Sequence, residues 1–383
     1  MATAKVQFTA DRNTQIDDLL KHVTEGLQLN PTRYQQAVDR YESVCRWLDD
    51  EGSAVVTFSP TIYPQGSMRI GTTVKPFGRD EYDLDFVCEF QFHVNMLQSP
   101  LQLLGLLESR LREHEVYRSI LEVKNRCVRL NYANEFHMDI LPACPDVSVG
   151  GTCLFVPDRK SQSWRHSNPQ GYAKWFESRC ELALKRLLER RGMMDKAAPI
   201  PPQEAAEEKA ILKRVVQLIK RWRDVHYQRQ PDLAPISMVL TTMAAQAYGG
   251  ELTVTEALTS VLNNFASWVD SSAPRVYVFN PANHKEDLSE RWDDTKQYRA
   301  YVDGIRKFRE RWNKAVAANG IHKIADELEV LFGEPVKAEI TRQARAVQEL
   351  REKSALRVAS SGMLTSAAIR TVPMRANTFH GKR

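Results

Sequence analysis

The sequence lacks the features that mark several large protein classes. Its six cysteines, Cys45, Cys88, Cys127, Cys144, Cys153 and Cys180, are too few and too scattered for a disulfide scaffold in a chain of 383 residues. None falls in a Cys-x-x-Cys pair, which argues against a structural zinc cluster. No window approaches the roughly 20 apolar residues needed to cross a bilayer, so no membrane association is expected. The opening stretch MATAKVQFTADRNTQIDD meets acidic residues before an apolar core can form, so no secretory signal is read and cytoplasm is the expected compartment. A Gly-x-x-x-x-Gly-Lys-Ser/Thr loop is missing, which excludes a Walker-type phosphate site. Internal repeats are missing too. The net charge of +5 favours an anionic substrate but is too small to indicate a protein that coats nucleic acid, so stable nucleic-acid binding is not expected. After Ser354 there is no acid at all; Arg357, Arg370, Arg375, His380, Lys382 and Arg383 make a basic end that reads as a mobile tail.

What is present is a mixed pattern followed by a helical one. Apolar spacing predicts helices from Asp11 to about Leu27 and over Pro31–Leu48, the second with Tyr34, Val38, Tyr41, Cys45 and Leu48 on one face and Pro31 suited to its first turn. An extended run at Ala54–Phe58 leads into the turn-rich Ser59–Gly71. Residues 83–92 alternate as a strand, and a helix is expected over Pro100–Tyr117. A strand around Ile120–Leu130 and another over Phe136–Leu141, closed by Pro142, flank a reversal at Asn131–Asn134 and suggest a hairpin. From Asn168 the chain turns helical: Gly171–Arg191, Lys209–His226, Ile236–Tyr248, Thr253–Asp270, Asp293–Asn319 and Ile321–Phe332, with a Pro/Ala/Glu-rich linker at Ala197–Glu208. The expected organisation is a catalytic unit over 1–167, a helical lobe over 168–335 and a terminal helix with the basic tail over 336–383.

Two stretches carry chemistry. In Tyr82-Asp83-Leu84-Asp85-Phe86, two acids at i and i+2 share one face of a strand, with Cα atoms roughly 6.5–7 Å apart. Leu84, Phe86 and Cys88 then bury the other face. Two carboxylates beside an apolar core repel each other and lose hydration, a conflict that divalent cations resolve. Mg²⁺ takes oxygen ligands and retains substrate phosphates and waters as the rest. Asp139, in Phe136-His137-Met138-Asp139-Ile140-Leu141, supplies a third acid from a second strand; His137 on the same face reads as a hydrogen-bond partner of the acids. The competing reading of an Asp-x-Asp at a strand start is a solvated turn pair. Upstream, Gly66-Ser67 offers backbone N–H groups and a hydroxyl to phosphate oxygens, or else makes an ordinary turn.

Gly-Ser, an Asp-Leu-Asp flanked by apolar residues, and a third strand Asp together resemble the polymerase-beta-like nucleotidyltransferase superfamily. Tyr63–Thr72 with Asp80–Val87, Phe136–Ala143, Ser167–Tyr172 and Asn280-Pro281 through Arg291-Trp292 look like the bacterial branch of the cGAS/DncV-like enzymes, over roughly residues 10–335. The resemblance implies an α+β fold: a mixed central sheet packed on a long N-terminal helix, with a helical C-terminal lobe across a nucleotide cleft. It implies metal-dependent synthesis of a cyclic oligonucleotide second messenger from ATP, GTP or other nucleoside triphosphates, with release of pyrophosphate, in antiphage signalling. Carried over by residue, Gly66 and Ser67 hold the donor triphosphate, Asp83 and Asp85 bind two Mg²⁺ (or Mn²⁺) ions, and Asp139 completes the ion that activates the acceptor hydroxyl. The Lys75–Arg79 segment lengthens the path from Ser67 to Asp83, as a substrate-proximal loop or a surface excursion. An RNA or tRNA nucleotidyltransferase, a linear oligoadenylate-type synthase and a non-catalytic nucleotide sensor are the alternatives.

Other residues have two readings each. Lys213 and Lys220 lie seven apart on one helix face and either reach triphosphate oxygens or solubilise a surface; the resemblance favours Lys220. Arg69 either clamps a phosphate or faces solvent. Among Lys124, Arg126 and Arg129, Arg126 is the better cleft residue. Tyr172, Trp175 and Tyr248 either stack on a base or fill the core, and Ser163, Asn168 and Gln170 are candidate readers of base edges. By resemblance, the tail is a place for a HORMA-type regulator or a ubiquitin-like conjugation factor to grip.

Overall fold

The computed structural model describes residues 12–29, 31–77 (except 51 and 54), 82–133, 136–190 and 209–342 (except 340), together with three short strands between 357 and 373. In chain order come α1 (Arg12–Gly26), α2 (Pro31–Leu48), β1 (Thr61–Pro64), α3 (Gly66–Arg69), β2 (Tyr82–Glu89), α4 (Pro100–Glu113), α5 (Glu115–Ile120), β3 (Leu121–Val123), β4 (Val128–Tyr132), β5 (Phe136–Pro145), β6 (Leu154–Asp158) and β7 (Ser163–Ser167). A helical lobe follows: α6 (Pro169–Cys180), α7 (Leu182–Arg190), α8 (Ile211–His226), α9 (Ser237–Ala247), α10 (Val254–Ser271), a small hairpin of β8 (Phe279–Asn280) and β9 (Asn283–Asp287), then α11 (Thr295–Ala317) and α12 (Ile321–Phe332).

The sheet runs β1-β2-β5-β4-β3, with β6 and β7 extending from the far end of β5. β2 and β5 are parallel and the other pairs antiparallel, giving the mixed sheet expected. Alternation in β2 and β5 sends Leu84, Phe86, Phe136, Met138 and Ile140 into one core, where the α2 and α4 helices cover them. Tyr41 of α2 stacks on Phe86 with ring centroids 4.3 Å apart. Its buried stripe is Ala37, Val44 and Leu48 with Tyr41 partly covered, whereas Tyr34 stays half exposed. α1 behaves differently: Ile16, Leu19, Leu20 and Val23 join the core of the helical lobe with residues of α8 and α10. The N-terminal segment therefore supports both halves of the molecule, and α2 is the long helix on the sheet.

Several local expectations are corrected. Residues Val56–Phe58 form a 3-10 turn rather than an extended run. The strand expected over Ile120–Leu130 is broken into β3 and β4 by a tight reversal closed by Lys124 N–H to Cys127 C=O at 2.9 Å. Pro142 does not end β5, because β4 stops opposite Ile140 and a proline beyond it forfeits no ladder bond to that strand. β6 and β7 were not anticipated. In the tail expected to be mobile, Arg357–Ala359, Leu364–Thr365 and Thr371–Pro373 pair as a small antiparallel sheet; most of the tail and the 197–208 linker lie outside the described residues. Among the described residues no helix is long and apolar enough to cross a membrane.

Candidate active site

The parallel register of β2 on β5 sets Asp83 opposite His137 and Asp85 opposite Asp139. β4 places Arg129 opposite Asp139 from the other side. Since Leu84, Met138, Val128 and Leu130 take the buried face, Asp85, Asp139 and Arg129 form a polar row across three neighbouring strands. The three predicted acids are brought together. Arg129 forks onto Asp139, with Nε to Oδ1 at 2.6 Å and Nη2 to Oδ2 at 2.7 Å, and Nη2 reaches Asp83 Oδ1 at 3.3 Å. These bonds hold the guanidinium in its charged form. Arg129 rather than Arg126 is the basic residue on the face of the acids; Arg126 pairs with Asp158 and with Glu290 of the helical lobe and borders a smaller cavity beside the cleft. Alternation already carried the signal for Arg129, flanked as it is by Val128 and Leu130.

The Gly-Ser turn lies against this row. Gln65 N–H donates to Asp85 C=O at 2.8 Å and so continues the β1–β2 ladder into the turn. Gly66 then takes φ +60, and a Cβ on it would stand 2.4 Å from Asp85 Oδ2. Only glycine allows both that conformation and that approach. Ser67 is linked to the following segment by Thr72 N–H to its C=O at 2.9 Å and by Thr73 Oγ1 to its hydroxyl at 3.4 Å.

α8 clamps that segment from the helical lobe. Gln217 Nε2 donates to Thr73 C=O at 2.8 Å, Arg221 Nη2 to Lys75 C=O at 2.8 Å, and Lys220 Nζ to Thr72 C=O and Oγ1 at 3.2 and 3.1 Å. Lys213 lies on the same stripe, with its Nζ 3.3 Å from the Cβ position of Gly71. Both lysines are buried, which rules out the surface-charge reading. Lys220 lines the cleft; Lys213 stands behind the Gly71–Thr73 segment. Burial lowers the Lys220 pKa to about 8 against the pull of Asp85. Burial, reinforced by Asp139 and Asp83, pushes Asp85 up to about 7 despite Lys220 and Arg129.

Between the turn, β2 and α8–α9 lies a cavity of about 410 Å³, lined by Gly66, Ser67, Asp83, Asp85 and Lys220 and, from α9, by Ser237, Met238 and Thr241. Pro76 and Phe77 also line it, so the start of the Lys75–Arg79 segment borders the cleft; Arg79 lies outside the described residues. Arg69 turns away from this cavity, pairs with Glu177 of α6 and borders a smaller adjoining one. Tyr248 is wholly buried with its hydroxyl on Glu251 C=O, so of its two readings it takes the core one. Tyr172 is buried, bonds Thr242 and packs beside the half-buried Trp175. Asn168 caps α6 through Gly171 N–H and donates to Ala282 C=O, tying the start of α6 to the β8–β9 hairpin. Ser163 makes its hydroxyl contact with Ser161.

The acid row fits a divalent cation: three carboxylates share one face of the sheet, and burial, reinforced by Asp139 and Asp83, raises Asp85 above the ordinary carboxylate range. It is not a ready-made cage. Among the described residues no three acidic, histidine or cysteine side chains converge as a metal cluster, and the Arg129 fork occupies the space over Asp139 and Asp83. Mg²⁺ commonly takes one or two protein carboxylates and completes its shell with substrate phosphates and water, which suits a cleft of this shape.

Comparison with known proteins agrees with this geometry. Residues 14–179 match the Second Messenger Oligonucleotide or Dinucleotide Synthetase domain. The chain is 33% identical over 381 residues to a c-di-GMP synthase of Roseivirga ehrenbergii, covering 98% of this chain and 99% of that protein. It is 31% identical over 300 residues to the cyclic dinucleotide synthase CdnG of Bradyrhizobium diazoefficiens, covering 73% and 71%. The structure of that CdnG in complex with GTP superposes with a TM-score of 0.68 at 28% identity, over 87% of this chain and 99% of that one. The chain belongs to the cGAS/DncV-like nucleotidyltransferases, the enzymes that build cyclic oligonucleotide second messengers from nucleoside triphosphates.

Proposed function

We propose that the protein joins two GTP molecules into a cyclic dinucleotide of the c-di-GMP type. The observation that carries this is the Asp85–Asp139 register pair with the Gly66 backbone packed directly on Asp85, at the mouth of a cavity whose opposite wall supplies Lys220. The choice of guanine rests on the Roseivirga c-di-GMP synthase and the GTP-bound CdnG. In each of two successive transfers a ribose hydroxyl attacks an α-phosphorus, its proton passes to solvent, the new phosphodiester forms, and the bond to the leaving pyrophosphate breaks. Backbone N–H groups at Gly66 and Ser67, with the Ser67 hydroxyl, hold the β- and γ-phosphates of the donor. Lys220 adds positive charge beside them, Lys213 steadies the Gly71–Thr73 segment from behind, and Arg69 serves the acceptor side.

Asp83, Asp85 and Asp139 would hold two divalent ions, Mg²⁺ or Mn²⁺, which would supply neutralisation of the phosphates and a lowered pKa at the attacking hydroxyl. Arg129 neutralises the same acids when no cation is bound, and releases them to it. The catalytic unit through residue 167 and the helical unit over 168–335 then close on the nucleotides, with α1 bridging the two. The reading extends to a cytoplasmic enzyme of antiphage signalling, whose basic tail is the seat of a HORMA-type or ubiquitin-conjugating partner. Incubation with GTP and Mg²⁺ followed by mass analysis tests the chemistry: a cyclic diguanylate and two pyrophosphates per product are expected, and linear product alone overturns the ring-closing reading. Unchanged partner binding and synthesis after deletion of residues 360–383 overturn the role of the tail.

A further inference from the structure

A second cavity of about 170 Å³ adjoins the first and shares Gly66, Ile70 and Met238 with it. Leu141, Val156 and Pro169 give it apolar walls, while Arg126, Asn280 and Glu286 give it a charged border. Glu286 lies on β9, and Asn280 Nδ2 donates to its Oε2 at 2.7 Å. The Arg126 charge, the Asn168 N–H and the Ser167 hydroxyl also act on this carboxyl. Burial nonetheless pushes it up to about 7, so the donors inside the protein fall short of replacing the water it has lost. Arg126 is fixed by Nε to Asp158 at 2.7 Å and Nη2 to Glu290 at 2.8 Å, which leaves Nη1 as its donor not engaged by another described residue. An anchored guanidinium and an under-compensated carboxylate therefore border one small space of mixed polar and apolar lining, which Arg69 and His166 also border.

We propose that this second cavity reads the guanine of one GTP, with Glu286 accepting from N1–H and the 2-amino group and Arg126 donating to O6 or N7. The proposal rests on the GTP reading above and adds which residues choose the base. Guanine offers two adjacent donors and, beside them, acceptors, the complement of a carboxylate next to a guanidinium. Adenine reverses both: its N1 lone pair would face Glu286 and its 6-amino group would face Arg126. Such opposed pairs discriminate more strongly than a lost contact alone.

ITP is the diagnostic probe, because it lacks only the 2-amino group. Wild-type protein is expected to prefer GTP over ITP by about 10-fold or more, the worth of one hydrogen bond to a charged acceptor. Glu286→Gln keeps the shape of the side chain and should bring that ratio to within about 3-fold while admitting ATP. His284→Gln, at an exposed position on the same strand and outside the cavity lining, should leave the ratio as in wild type. Both kcat/KM and equilibrium binding of non-hydrolysable GTP and ITP analogues are measured. If no cyclic product forms from GTP at all, the functional reading fails while the binding ratio still reports on the cavity. If Glu286→Gln lowers GTP and ITP use equally, or leaves the ratio unchanged in binding, Glu286 is a structural pin of the hairpin and the proposal is overturned.

Discussion

Replacing Gly66 by alanine separates backbone strain from damage to the acid row. Gly66 has φ +60 and Gly71 has φ +69, so a methyl group at either forces an L-residue into the left-handed region. That costs about 1–2 kcal/mol in each case. The surroundings then differ. At Gly71 the new atom would meet Lys213 Nζ at 3.3 Å, the far end of a long side chain. At Gly66 it would meet Asp85 Oδ2 at 2.4 Å and Asp85 Cβ at 3.2 Å, about 1 Å inside ordinary contact. Asp85 must rotate away or the turn must lift off the strand, and a displacement of about 1 Å at a reacting centre can cost on the order of 100-fold in rate. Gly66→Ala and Gly71→Ala should therefore lose similar stability in urea unfolding. Only Gly66→Ala should lose about 100-fold in pyrophosphate release, with Gly71→Ala within about 5-fold of wild type. Equal activity losses in the two variants would refute the claim that the Gly66–Asp85 contact sets the catalytic geometry.

Three further outcomes are expected. Arg129→Gln leaves Asp139 and Asp83 without their fork and should destabilise the cation-free protein by on the order of 1–3 kcal/mol, yet raise the melting temperature gained on adding Mg²⁺; thermal melts with and without Mg²⁺ read both. Asp85, raised to about 7, keeps its proton in the fold after the unfolded chain has lost it. The folded state then binds more protons between about pH 4 and 7, so cation-free stability should fall as pH rises through that window, and Asp85→Asn should flatten the slope. Lys220→Met removes the charge beside Asp85 and should raise the KM for GTP about 10-fold or more, with a smaller effect from Lys213→Met, which does not line the cavity; steady-state kinetics decide between the two.

Period-two alternation made the acid row legible, because Leu84, Phe86, Met138 and Ile140 left Asp83, Asp85 and Asp139 a single face to occupy. Glycine at position 66 was legible as a phosphate turn, though not as a residue pressed against Asp85. Arg129 was missed because the segment was read as one strand from Ile120, and the reversal at residues 124–127 shifts which basic side chain shares the face of the acids. Periodicity left the lysines of α8 open between phosphate contact and surface charge; only the Gly71–Lys75 segment laid over them makes them interior. Tyr248, open between stacking and core in the sequence, is an aromatic at a helix end that tertiary packing closes over completely. Glu286 and Asn280 fall in a stretch that carries the family resemblance, but nothing local says that their hairpin reaches the cleft.

Mass analysis of the products formed from the four ribonucleoside triphosphates with Mg²⁺ or Mn²⁺, run beside Asp83→Asn with Asp85→Asn, bears on the acid row most directly. Wild-type protein should release pyrophosphate and accumulate a cyclic dinucleotide, and the folded double variant should release none above background. Equal pyrophosphate from the two preparations would contradict the assignment of these carboxylates to catalysis.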